Sequence, residues 1–92
     1  MKTKIPISLL ELAVITQGSD VTETLQKTAA LAQLADDLGY KRLWLAEHHN
    51  MAHVASTATV GLSGFLAGET KNIRVGSGGI MLPNHSPLIV AE

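Results

Sequence analysis

Apolar residues fall along the chain in short blocks of two periodicities. Residues 5–14 are rich in Ile, Leu and Val and free of turn residues after Pro6, the pattern of a strand buried on both faces. TQGSD then forms a polar loop. Asp20 and Glu23 have capping-box spacing, Leu31, Leu34, Ala35 and Leu38 recur at helical intervals, and Gly39 offers a C-terminal cap, which together predict a helix over 20–39. A second apolar strand is predicted over 42–46. A second helix is predicted over 56–69, where Gly61, Gly64 and Gly68 fall on one side and would allow close packing on a sheet. Lys71 and Asn72 turn the chain into a third strand over 73–77, and Ser86-Pro87 reads as the cap and first position of a third helix.

Strands alternating with helices imply an α/β class with parallel strands, crossover connections and a sheet covered on both faces. No linker or low-complexity tract divides residues 1–92, so they read as one segment. In parallel α/β folds the loops leaving the C-terminal strand ends share one edge, where chemistry is usually found. Glu47, His48 and His49 follow the second strand and Gly76–Gly79 contains the end of the third, so the two stretches are expected side by side.

Composition narrows the function classes. Among 92 residues, 46% are hydrophobic and the net charge is -1, which supplies no basic surface for nucleic acid. Cysteine is absent, leaving no disulfide or thiolate chemistry and fitting a reducing cytoplasm. Pro6 and Glu11 interrupt the apolar run behind the basic start, so the start reads as a mature N-terminus. The apolar runs are too short to span a membrane.

The candidate chemistry is an imidazole cluster beside a glycine run. Histidines after a strand can act in catalysis or simply bond neighbouring loops. A metal site would use His49 and His53, four apart, with Glu47, but the HExxH spacing is missing. His85 reads as a loop residue before a helix cap. The run GSGG fails as a dinucleotide fingerprint because Met81 stands where the last glycine belongs. It can instead be a tight bend or let a flat ligand approach the main chain.

Taken together, SLLELAVI, AEHHN and GSGGIMLPNHSPLIVAE resemble the N-terminal part of the luciferase-like flavin monooxygenases, especially their luciferase-type oxidoreductase subgroup. The resemblance covers essentially the whole chain. It implies the β-α-β-α-β start of a TIM (β/α)8 barrel acting as an oxidoreductase with reduced FMN, molecular oxygen, a small organic substrate and a separate flavin reductase. By position it makes His48 the catalytic candidate, beside the flavin ring. Glu47, His48, Ser77, Gly78 and Gly79 become the cofactor-binding candidates. Gly78-Gly79 matches a small-residue pair that carries a non-prolyl cis peptide in relatives; bacterial luciferase has alanines there. The family's phosphate contacts come from beyond this segment.

A complete barrel needs eight strand-helix units and about 250 residues, so this chain is expected to be an N-terminal part whose open sheet edges favour homo-oligomers. Two other readings stay open: a non-catalytic, self-associating segment, and a metal-dependent TIM-barrel hydrolase.

Overall fold

The computed structural model describes residues 5–92 and contains a three-stranded parallel sheet in the order β1 (Ser8–Glu11), β2 (Arg42–Leu45), β3 (Arg74–Ser77). Helices α1 (Val21–Asp37) and α2 (Thr59–Gly68) connect them, and a 3-10 turn (Leu82–Asn84) and short α3 (Pro87–Ala91) follow. The alternation read from the sequence is thus present. Among the described residues no helix is long and apolar enough to cross a membrane.

Strand pleat sorts the sheet into two unlike faces. The register row Leu9, Leu43 and Val75 meets Ala29, Ala32 and Ala35 of α1 and Leu62 and Leu66 of α2 in the core. Both helices therefore cover the same face. The other face carries Leu10, Trp44 and Gly76 in one row, where Leu10 is 56% exposed. Strands in chain order with both connecting helices on one side are the beginning of a barrel; a doubly wound sheet would put helices on both sides and reverse its order. On the open face the Arg42 guanidinium lies 4.9 Å from the Trp44 ring centroid, a cation-π contact.

Several boundaries and faces differ from expectation. β1 is four residues long and half-exposed rather than buried on both faces, because it forms one edge of the sheet and only Leu9 joins the packed core. The α1 residues turned inward are Thr24, Thr28, Ala32 and Ala35, while Leu34 and Leu38 are exposed. Ala32 and Ala35 pack into the core, and a hydropathy pattern undervalues threonines at the inward positions Thr24 and Thr28. Gly61, Gly64 and Gly68 face open space, so they do not mediate close packing; Thr59 and Leu66 are the buried positions of α2. That helix begins at Thr59 rather than Ser56, because the preceding segment is held to the β1 and β2 exits instead, with the Ser56 carbonyl accepting from the His48 amide at 3.2 Å.

Caps fix the helix ends. Asp20 accepts from the Glu23 amide at 2.8 Å, whereas the Glu23 carboxylate takes the Ser19 hydroxyl, so only one arm of the capping box forms. At the other end Gly39 has φ +82°, and its amide and that of Tyr40 donate to Asp36 and Ala35 carbonyls, a Schellman closure. Ser86 precedes α3 as expected but makes no side-chain cap. The Asp36 carboxylate accepts the amides of Lys71, Asn72 and Ile73, pinning the turn into β3. The Lys71 amide leads in holding that carboxyl below its ordinary range.

Gly39 is left-handed with open space where a side chain would stand, so Gly39→Ala isolates the backbone penalty. It should lower stability by about 1–2 kcal/mol in urea unfolding; an unchanged midpoint would show that the closure carries no such constraint.

Candidate active site

The strand exits converge at one edge, as parallel topology requires. Ladder bonds continue one residue past the strands, from the Ala46 amide to the Glu11 carbonyl at 3.2 Å and from the Gly78 amide to the Leu45 carbonyl at 2.7 Å. The segment after β2 then folds across the β1 exit through the Val14–Val54 bridge and a 2.8 Å bond from the Ala55 amide to the Ala13 carbonyl. Ala13 is buried at φ +54°, a region costly for a residue with Cβ. Its amide is held by the Glu11 carboxylate at 3.0 Å.

Glu47 lies at the centre of this edge with its side chain fully buried. A buried carboxylate must be met by donors, and three are present. His49 Nε2 stands 2.6 Å from Oε2, His85 Nε2 stands 3.0 Å from each oxygen, and the Met81 amide donates to Oε1 at 3.2 Å. The His49 bond is the largest cause lowering the carboxyl from its ordinary 4.5 to about 2; the Met81 amide and His85 add to it, and burial opposes them. Glu47 therefore stays ionised at neutral pH.

The expected neighbours are brought together, with different duties among them. Glu47 joins the β2 exit to the β3 exit from within the fold, so its carboxylate is not a surface group. The Ser77 hydroxyl is engaged on the helix side, 2.9 Å from the Thr59 hydroxyl. His48 is half-buried, and its ring has no hydrogen bond among the described residues. Gly78-Gly79 is a cis peptide. A Cβ at Gly78 would stand 3.0 Å from the Trp44 Cβ, whereas one at Gly79 would meet nothing within 4 Å. The pair thus lies against Trp44 beneath and presents bare main chain outward.

His85 is the residue that sequence reasoning missed. Pro83 sits in the 3-10 turn that swings the chain back, delivering His85 to a carboxylate 38 positions earlier. Its neighbours in LPNHSP, prolines on both sides of a histidine, were the available signal of a fixed turn. His53 lies outside any helix, so it does not share a helical face with His49. Among the described residues no group of three or more His, Asp or Glu side chains has the arrangement to hold a metal ion.

Comparison with known proteins follows the same outline. The sequence profile described as luciferase-like monooxygenase matches residues 6–92. The chain belongs to the luciferase-like monooxygenase family. It is 54% identical over 88 residues to a luciferase-like monooxygenase of Escherichia coli, covering 96% of this chain and 26% of that one. It is 46% identical to the N-acetyl-S-alkylcysteine monooxygenase of Bacillus subtilis, again covering 96% and 26%. Among solved structures, apo-MsnO8 superposes with TM-score 0.91 at 44% identity over 96% of this chain and 27% of its own. The FMN complex of the oxygenating constituent of 3,6-diketocamphane monooxygenase from Pseudomonas putida, a type II Baeyer-Villiger monooxygenase, shares the fold at TM-score 0.84 and 22% identity, over 96% and 24%. This luciferase-like chain therefore has the β-α-β-α-β start of a TIM barrel and spans about a quarter of the length of the relatives it matches.

Because the folded Glu47 carboxyl titrates near 2 and the unfolded one near 4.5, its contribution to stability is complete above about pH 4.5 and is lost as pH falls toward 2. Urea midpoints measured across that window should converge between the native chain and Glu47→Gln as pH drops, with the native chain more stable at neutral pH. Parallel curves would show that the buried carboxylate is not the titrating group.

Proposed function

We propose that this segment forms the flavin-ring side of an FMN-dependent monooxygenase site acting with molecular oxygen on a small organic substrate. The observation that carries the reading is the bare Gly78-Gly79 main chain, open outward at Gly79, on the same strand-exit edge that His48 follows after β2 in a luciferase-like barrel start. Glycine without a side chain lets a flat ring approach the backbone. When bound, the flavin supplies the redox chemistry. The protein's own groups hold the ring, exclude water and manage protons. His48 is the catalytic candidate, an imidazole able to donate a hydrogen bond or exchange a proton. Gly78 and Gly79 face the ring, and Glu47 and Ser77 support it from behind.

The FMN-complexed neighbour supports flavin use through its fold, and the family supports monooxygenation. Phosphate would be held elsewhere, since TIM barrels commonly bind it after the seventh and eighth strands. Reduced flavin would come from a separate reductase in the cytoplasm. Without those later loops, ring contacts alone must offset the cost of ordering the ligand, so the 92-residue chain should bind FMN weakly and turn nothing over.

The open face bearing Leu10 and Trp44 favours a second reading, a segment that associates with copies of itself. The two are separable. Residues 1–92 can replace the matching quarter of the Escherichia coli relative, with the unaltered relative as control. Fluorescence titration should give FMN binding by the chimera within about tenfold of the control, a difference of about 1.4 kcal/mol, and far weaker binding by the short chain. A chimera that folds but binds no FMN while the control does would contradict the flavin reading. A compact monomer of the short chain in light scattering would contradict self-association.

A further inference from the structure

An ionised carboxylate has acceptors only, so a ring nitrogen turned toward it must carry hydrogen. Glu47 faces two such nitrogens, Nε2 of His49 and Nε2 of His85, together with the Met81 amide, which can only donate. In the neutral imidazole a hydrogen on Nε2 leaves Nδ1 with its lone pair. No hydrogen bond to Nδ1 of either ring is formed among the described residues, and the two side chains retain 44% and 31% of their exposure while Glu47 retains none. His85 also lines an open groove of about 520 Å³ between the start of α2 and α3, among Thr59, Gly61, Ile80 and Ile89.

We propose that Glu47 is a positioning residue that fixes the neutral forms of His49 and His85 as Nε2–H tautomers and leaves Nδ1 of each neutral ring as an acceptor at the exit edge. A bound molecule presenting an N–H or O–H group there meets acceptors rather than donors. The same carboxylate holds Met81, two positions beyond Gly79, so it sets the path of the glycine pair and the tautomers together. Use of these acceptors in turnover rests on the flavin-site reading; the tautomers themselves do not.

Ring-nitrogen NMR of the 15N-labelled chain at alkaline pH tests the assignment. Both His49 and His85 should show protonated Nε2 and unprotonated Nδ1. In Glu47→Gln the amide offers donors of its own, so at least one of the two rings should shift toward the Nδ1–H form while His48 and His53 keep their spectra. His85 in the Nδ1–H form in the native chain would overturn the proposal, as would rings unchanged by Glu47→Gln. The native spectrum decides even if the variant does not fold. Failure of the chimera to bind FMN leaves these spectra untouched, so the two readings fail separately.

Discussion

Burying one ionised carboxylate is the constraint around which the exit edge is arranged. An unpaired buried charge is expensive enough that the surrounding chain must bring donors to it. Here they come from the residue two positions on, from a main-chain amide beyond the third strand, and from a histidine in the turn before α3. The donors come from two stretches of backbone, the β2 exit that carries His49 and the turn that Met81 and His85 flank. Satisfying Glu47 therefore ties the β2 exit, the glycine pair and the approach to α3 into one unit.

That unit is placed by the sheet. Parallel register puts Leu45 beside Ser77, so the next residues of both strands emerge together, and the bond from the Gly78 amide to the Leu45 carbonyl carries the pairing past the strand ends. Helices packed on one face leave the opposite face to Trp44, against which Gly78 lies. The absence of a side chain at Gly78 is thus a packing requirement from beneath, whereas at Gly79 it leaves the main chain open above.

Much of this was legible in the amino-acid order. Strand and helix alternation, the Asp20 and Gly39 helix ends, and the adjacency of the EHH and GSGG stretches follow from local patterns and from parallel topology. The buried face of α1 was hidden because Thr24 and Thr28 pack inward where an apolar pattern favours Leu34 and Leu38. The start of α2 was hidden because Ser56 has the chemistry of a cap but is drawn to the β2 exit by a main-chain bond. His85 was hidden for a different reason: its partner lies 38 positions away, a separation at which no sequence periodicity speaks. Glu47 was recognised as a site residue, but that its carboxylate is buried and triply held is a tertiary fact.

The organising role of Glu47 can be read at a single amide. Met81 is 48% exposed, yet its N–H is bonded to Glu47 Oε1. Hydrogen exchange at Met81 should be at least about tenfold slower in the native chain than in Glu47→Ala at neutral pH, since a held amide must open before it exchanges. Equal exchange rates at Met81 in two folded proteins would contradict the account.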